Sequence, residues 1–239
     1  MTAAYGCDVS HYQSAISWAQ VAAAGKRFAI LKASEGTALV DDRFAANVLG
    51  AKNAGLKVSA YHFFRPGLDP VAQARFFYDR ARSLGDGDLI PWLDVEADRP
   101  SVSGAVVPNA TIVAQLMACI VECETLFGVT PGIYTAGWFW NRLGAGTKFS
   151  HCPLWVARYP TAGVVLPLPL GWTRYAVHQY TSAGRVAGIA GNVDLDWTPD
   201  LEAITVGADR AKIHMAIDAL HGARAGLDEA EKLLQEMVG

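Results

Sequence analysis

Charged residues, long apolar runs and low-complexity stretches are all scarce in this chain of 239 residues. Only 18% of the residues are charged and the net charge is −3. This low content of charged residues and the negative net charge exclude a protein whose main function is nucleic-acid binding, because such binding uses many lysine and arginine contacts with phosphate. No uninterrupted apolar run approaches the ~18 residues that span a bilayer, so we expect no membrane insertion. Eleven scattered prolines exclude a low-complexity chain.

Signals for export, disulfides and cofactors are also missing. Residues 1–6 contain no basic region and no apolar core of a signal peptide. We therefore expect synthesis in the cytoplasm. Four cysteines do not make a disulfide scaffold. Cys119 and Cys123 share a helical face but have no histidine at ligand spacing, which favours buried thiols over zinc. No glycine-rich nucleotide-binding motif is present, so the sequence predicts no cofactor and no metal.

Short apolar runs alternate with helical patterns along most of the chain. Several runs are almost entirely apolar, which is typical of parallel strands covered on both faces. Helices are predicted at 44–54, 70–84 and 109–127, with a weakly marked one at 200–204 and a short one at 138–143. The eight predicted strands are 5–9, 28–33, 57–64, 89–95, 132–135, 154–157, 175–180 and 193–197.

This alternation predicts an α/β fold, a (β/α)₈-like barrel that is irregular in its last units, since the later connections are weak. A doubly wound sheet is the alternative. We assign residues 1–204 to the barrel and 205–239 to a helical tail, either an interrupted helix or a hairpin. The tail lacks proline and aromatic residues and has a heptad-like apolar stripe. That stripe either packs on the barrel or supports self-association or partner binding.

Acidic and aromatic residues recur where the predicted strands end. In a (β/α)₈ barrel these ends form the active-site face. Asp94 and Glu96 are two residues apart, so both point inward, while Leu93 and Val95 face the helices. Inward carboxyls repel each other and lose solvation, which raises the pKa of at least one, as a general acid requires. The other strand ends contribute Asp8, Lys32, Tyr61, Phe63, Tyr134, Trp155, Gln179, Asp194 and Asp196.

Two other interpretations of these acids remain open. Asp94 and Glu96 can be salt-bridged or helix-capping acids without catalytic function. Alternatively, Asp8, Asp94, Glu96 and Asp194 can bind a hard cation through oxygen ligands. The aromatic residues at the same strand ends argue against a site dominated by metal, because aromatic rings suit the apolar faces of sugars. No serine or cysteine is obviously paired with a histidine as a nucleophile.

An ordered set of motifs runs through the predicted barrel. The motifs are DVSHYQ at 8–13, FAILKASEGT at 28–37, AYHFF at 60–64, LDVE at 93–96, GIYT at 132–135, LWVARY at 154–159, QY at 179–180 and GIAGNVDLD at 188–196. Together they resemble the glycoside hydrolase family 25 muramidases, the Chalaropsis-type lysozymes. The resemblance covers about residues 5–204 and excludes the tail. Trp92 departs from it, since a smaller aliphatic residue is expected there.

The resemblance implies hydrolysis of the β-1,4 bond between N-acetylmuramic acid and N-acetylglucosamine in bacterial peptidoglycan. It implies Glu96 as general acid, Asp94 as its partner, and Asp8 and Asp194 as further acids of the catalytic cluster. The substrate-binding residues are then Tyr61, Phe63, Tyr134, Trp155, Gln179 and Lys32. The alternatives are a catalytically weak peptidoglycan-binding module and a structural part of a virion. A chain without a signal peptide suits a phage endolysin released through a holin pore, or an enzyme freed by lysis.

Overall fold

The computed structural model describes residues 2–159, 162–163 and 167–207. Nine strands and five α-helices occur in this part of the chain. The strands are β1 (Ala4–Val9), β2 (Phe28–Glu35), β3 (Leu39–Val40), β4 (Lys57–Phe63), β5 (Trp92–Asp94), β6 (Gly132–Ala136), β7 (Leu154–Ala157), β8 (Val177–Gly184) and β9 (Val193–Thr198). The helices are α1 (Trp18–Ala23), α2 (Phe44–Asn53), α3 (Pro70–Ala81), α4 (Asn109–Phe127) and α5 (Gly137–Leu143).

Eight of these strands close into a barrel. Neighbouring strands follow the order β1, β2, β4, β5, β6, β7, β8 and β9, and β9 returns to β1. All pairs from β1 to β8 are parallel, whereas β9 is antiparallel to both of its neighbours. The predicted irregular α/β barrel is therefore confirmed. The irregularity has a specific form: no helix separates β8 from β9, so the chain turns back and the last strand runs in the opposite direction.

The main helices follow their local sequence signals. Asp69 caps α3 by accepting a hydrogen bond from the backbone N–H of Ala72 at 2.8 Å, and Pro70 occupies the first helical position. Gly128 ends α4 in the left-handed conformation, with φ of 65°. The predicted helix at 200–204 is wrong, because only a 3-10 turn forms at Glu202–Ile204. The prediction also missed α1 and β3, which are too short to show a clear period.

Helix α4 has the length and composition of a membrane span, with a mean hydropathy of 1.6. Gln115, Glu122 and Glu124 interrupt this helix, so it is not an uninterrupted apolar run. It packs against α3 and α5, and its buried residues belong to the same core cluster as Leu93 and Val95. A stripe of residues along one side is buried in the core, namely Ile112, Leu116, Cys119, Ile120, Cys123 and Phe127. This stripe is the pattern of a core helix, and it explains the apolar composition.

Two apolar layers stabilise the barrel. The outer layer fills the space between strands and helices and includes Leu93, Val95 and all four cysteines, which are free and buried. The inner layer fills the barrel itself and includes Phe28, Trp92 and Trp155. Leu93 and Val95 thus lie outside the barrel wall, as the two-residue period of β5 predicts, and Trp92 and Asp94 lie inside.

Trp92, the departure from the family pattern, fits because its neighbour has no side chain. Trp92 is directly paired with Gly132 on β6, and a methyl group at Gly132 would overlap the indole ring. The ring also contacts Trp155, with centroids 5.8 Å apart. The indole ring of Trp92 on β5 therefore fits only because Gly132 on β6 has no side chain.

We expect Gly132→Ala to lower the free energy of unfolding by about 1–3 kcal/mol, the usual cost of overpacking a core. Thermal unfolding of the purified protein measures this. Gly85→Ala is the matched control, because a methyl group there meets nothing within 4 Å and Gly85 is not in the left-handed region. Equal melting temperatures for the two variants would contradict the packing account.

The predicted tail lies mostly outside the described residues. At its start, Thr205 forms an antiparallel bridge with Leu89, and the backbone N–H of Val206 donates to Asp88 O at 2.8 Å. Val206 is buried. The chain therefore still packs on the barrel at residues 205–206. The predicted helical stripe and the self-association that it suggests concern residues 208–239.

Candidate active site

Four acids predicted from the sequence lie at one end of the barrel. Asp8 lies near the end of β1, Asp94 is the last residue of β5, and Glu96 follows two residues later. Asp194 reaches the same mouth from the start of β9, because that strand runs in the opposite direction. It is the direct cross-strand partner of Asp8. Asp194 was expected at the carboxyl end of a strand, but it lies at the amino end of β9.

Asp94 is a buried carboxyl that lacks a full set of donors. Its side chain is 6% exposed, and Oδ1 has no hydrogen-bond partner among the described residues. Burial raises the pKa of Asp94 well above its usual range, and the Glu96 carboxyl raises it further. Lys32 and Arg65 oppose this shift. Asp94 and Glu96 therefore titrate as an interacting pair.

Glu96 differs from Asp94 in its access to solvent, since its side chain is exposed. The surrounding protein nevertheless raises the pKa of Glu96, mainly by desolvation and next through Asp194. Lys32 and Arg65 again act in the opposite sense. A proton-bearing carboxyl that a substrate can reach is the arrangement that a general acid needs.

A hydrogen-bonded network fixes the Asp8 side of the mouth. Gln179 on β8 donates from Nε2 to Asp8 Oδ2 at 2.8 Å. The same side chain accepts on Oε1 from the hydroxyl groups of Tyr134 at 3.0 Å and Tyr159 at 3.1 Å. Since Gln179 is only 3% exposed, it orients Asp8 and the two tyrosines rather than presenting its amide to solvent.

A cationic cluster lies on the β2–β4 side. Lys32 Nζ is 2.6 Å from Glu35 Oε2, and Arg65 binds Glu35 Oε1 through Nε at 2.8 Å and Nη2 at 2.6 Å. Both cations also lie over the ring of Phe63. Burial alone raises the pKa of Glu35, but Lys32 and Arg65 outweigh it and the pKa is lowered. Lys32 is thus held by protein groups and acts on Asp94 and Glu96 through its charge.

The aromatic residues divide into a floor and a rim. Trp155 is 2% exposed and contacts Tyr134, Tyr61 and Trp92, with centroids 4.5, 6.1 and 5.8 Å away. It therefore supports the site from below and offers no free face. Tyr61 and Phe63 are half-buried. Exposed rings follow the ends of β1, β6 and β7, namely Tyr12 in a 3-10 turn, Trp138 in α5 and Tyr159 after β7.

A known protein family matches most of this chain. The model of glycosyl hydrolases family 25 matches residues 7–189. The chain belongs to glycosyl hydrolase family 25. Lysozyme M1 of Streptomyces globisporus is 36% identical over 199 residues, which cover 79% of this chain and 65% of that protein. The N,O-diacetylmuramidase of Chalaropsis sp. is 31% identical over 202 residues, covering 79% and 95%.

The fold comparison agrees with this family 25 assignment. The crystal structure of the bacterial lysozyme from Streptomyces coelicolor superposes with a TM-score of 0.76 at 32% identity, and the match covers 85% of this chain and 96% of that one. The matched part spans about two thirds of Lysozyme M1, so that relative has residues beyond it. The family model ends before β9, so it does not include Asp194.

A serine–histidine pair exists in this family 25 chain, contrary to the sequence analysis. Ser34 Oγ lies 2.8 Å from His62 Nδ1, and His62 Nε2 lies 3.4 Å from Gln73 Oε1. Ser34 and His62 are fully buried on the helix side of the barrel wall, so no substrate reaches them. Burial lowers the pKa of His62 to about 4, which keeps it neutral. The pair is a structural link between β2, β4 and α3.

Several residues of the mouth were missed by sequence reasoning. Arg65, Glu35 and Tyr159 were not among the predicted site residues, although Glu35 and Tyr159 lie within the quoted motifs. Asp196 was placed at a strand end but given no role. Its carboxyl lies inside the barrel, where Trp155 Nε1 donates to Oδ1 at 2.8 Å. Among the described residues, no group of three or more histidine, cysteine, aspartate or glutamate side chains is arranged to hold a metal ion.

Proposed function

We propose that the chain is a muramidase that hydrolyses the β-1,4 bond between N-acetylmuramic acid and N-acetylglucosamine in bacterial peptidoglycan. The supporting observation is the meeting of Asp8, Asp94, Glu96 and Asp194, drawn from three strands, at the mouth of a family 25 barrel. The names of the relatives, lysozyme and N,O-diacetylmuramidase, support this substrate class.

In the proposed mechanism Glu96 protonates the glycosidic oxygen. The C1–O bond breaks as positive charge develops on the muramic acid ring. The carbonyl oxygen of the 2-acetamido group then attacks C1, and Asp94 stabilises the resulting oxazolinium ion. Water opens this ion and gives its proton to Glu96, which restores the acid. Desolvation raises the pKa of Glu96, which favours the protonated form that this step needs.

Inversion is the rival mechanism, in which Asp194 or Asp8 activates a water molecule that attacks C1 directly. Asp8 is poorly placed to act as that base, because the residue is only 5% exposed and its carboxyl is bound by Gln179. A base that activates water needs an accessible oxygen atom, and Asp8 offers little surface for that purpose. Asp194 is half-buried and remains the candidate base of the inverting scheme.

Digestion of purified cell wall tests the proposed function. We expect mass spectrometry to find fragments whose new reducing ends are muramic acid, because the proton goes to the oxygen of that bond. Glucosamine reducing ends or cleaved peptide bonds would identify a different enzyme class. Binding to the wall without any release of fragments would instead identify a peptidoglycan-binding module.

A further inference from the structure

A fifth acid, Asp196, lies one layer below the mouth. Its partners across the ladders are Gly6 on β1 and Gln179 on β8, and its side chain points into the barrel. It is completely buried. The Phe28 ring fills the space at Gly6, where a Cβ would lie 2.5 Å from it. Asp8, the next inward residue of β1, lies diagonally across the ladder from Asp196. The mechanism above gives Asp196 no task.

The hydrogen bonds of Asp196 are incomplete unless a proton is shared. Oδ1 accepts from Trp155 Nε1, but Oδ2 has no partner when both neighbouring acids are ionised. Asp8 is diagonal to Asp196 in the β1–β9 ladder and its carboxyl interacts with that of Asp196, so a proton on either acid can be shared between the two. Burying an ionised carboxylate that has only one hydrogen-bond donor costs free energy. The state in which Asp196 and Asp8 share a proton avoids this cost and is therefore favoured.

The charges around Asp196 also favour the state in which it shares a proton with Asp8. Burial raises the pKa of Asp196 to about 7, and Asp194 adds to this, whereas Trp155, Asp8 and Lys26 lower it. Burial also raises the pKa of Asp8, as do Asp196 and Asp194. Lys26 lowers the pKa of Asp196, and the charge of Asp194 opposes it. The titratable groups around Asp196 are Asp8 and Cys7 on β1, Asp194 on β9, Tyr180 on β8, and Lys26.

We propose that Asp196 is a positioning residue, which shares one proton with Asp8 and thereby fixes the direction of the Asp8 carboxyl at the mouth. This proposal rests on the proposed hydrolysis, in which Asp8 belongs to the acid cluster. Gln179 holds one oxygen of Asp8 from the β8 side, and the shared proton ties Asp8 to Asp196 from below. When the pair loses that proton, two buried carboxylates repel each other and Asp8 loses its fixed direction.

The test is the pH profile of kcat/KM on purified peptidoglycan for the Asp196→Asn variant. The amide keeps an acceptor for Trp155 and a donor for Asp8, so the pair carries at most one negative charge at any pH. We expect activity within about threefold of the parent at pH ~5.5, and an alkaline limb that moves up by about one pH unit or more. Asp196→Ala removes the link, and we expect it to lose activity at all pH values.

Thr198→Val is the matched control, because Thr198 is a buried inward residue of the same strand, farther from the mouth. Its pH profile should match that of the parent. An unchanged alkaline limb in Asp196→Asn, or an equal loss at every pH, would overturn the proposal.

A second measurement does not depend on hydrolysis. Because the folded pKa of Asp196 lies above the usual 3.8, the folded state keeps a proton that the unfolded state has lost. Its contribution to stability is therefore lost as pH rises through about 7. We expect the melting temperature of the parent to fall with pH more steeply than that of Asp196→Asn. If peptidoglycan is not cleaved but this difference appears, the proposed function fails while the proton-sharing pair stands. Parallel melting curves would overturn the pair itself.

Discussion

Replacing Glu96 with glutamine is expected to lower the hydrolysis of peptidoglycan by about 10²-fold or more, the usual share of a general acid, without unfolding the protein. The amide keeps the size of the side chain but has no proton to give to the leaving oxygen. Since Glu96 is exposed at the mouth, few packing contacts depend on it. Release of reducing ends from purified cell wall measures the loss, and thermal unfolding checks the fold.

Glu202→Gln is the matched control for this experiment. Glu202 lies in the 3-10 turn after β9, its side chain is largely exposed, and it makes only a long ion pair of 4.0 Å with Lys57. We expect its activity to equal that of the parent. Near-normal turnover by Glu96→Gln would show that another group supplies the proton. A loss that accompanies a lowered melting temperature would not identify a catalytic role.

Replacing Asp94 with asparagine is expected to lower kcat by about 10²-fold with a smaller effect on KM, because the carboxylate stabilises positive charge that exists only along the reaction path. The residual product should keep the β configuration of the bond, which NMR of freshly cleaved fragments detects. An inverted product from the parent enzyme would eliminate the oxazolinium scheme and assign the chemistry to a water activated by Asp194.

The same variant should be at least as stable as the parent. Asp94 is buried, and Oδ1 lacks a donor, so its raised pKa reports a cost of ionisation in the folded state. That cost is absent below the unfolded pKa of about 4 and grows as pH rises toward the folded pKa. The stability advantage of Asp94→Asn should therefore increase with pH. Loss of both activity and stability would indicate a structural acid.

The barrel was predictable because its strands are short, apolar and well separated. The two-residue period of a strand correctly predicted that Asp94 points into the barrel and that Leu93 faces the surrounding helices. The direction of β9 was not predictable, since an apolar run has the same composition in either direction. The two-residue strand β3 and the six-residue helix α1 are shorter than the window in which a period can be recognised.

The acids of the site were predictable as a set, but their partners were not. Glu35 and Arg65 lie thirty residues apart and meet only because β2 and β4 are neighbours in the barrel. The link between Asp196 and Asp8 depends on the antiparallel pairing of the first and last strands. Burial of Trp155 depends on how the barrel interior is filled. Each of these contacts follows from tertiary packing, which local sequence patterns do not encode.

The closure of the barrel by β9 has a consequence for how the enzyme is made. Asp8 lies on the first strand of the barrel, yet Gln179, which holds it, lies 171 positions later, and Asp194 comes later still. Loops of this length close slowly during folding. The four acids therefore cannot meet until nearly the whole barrel has been translated and β9 has paired with β1.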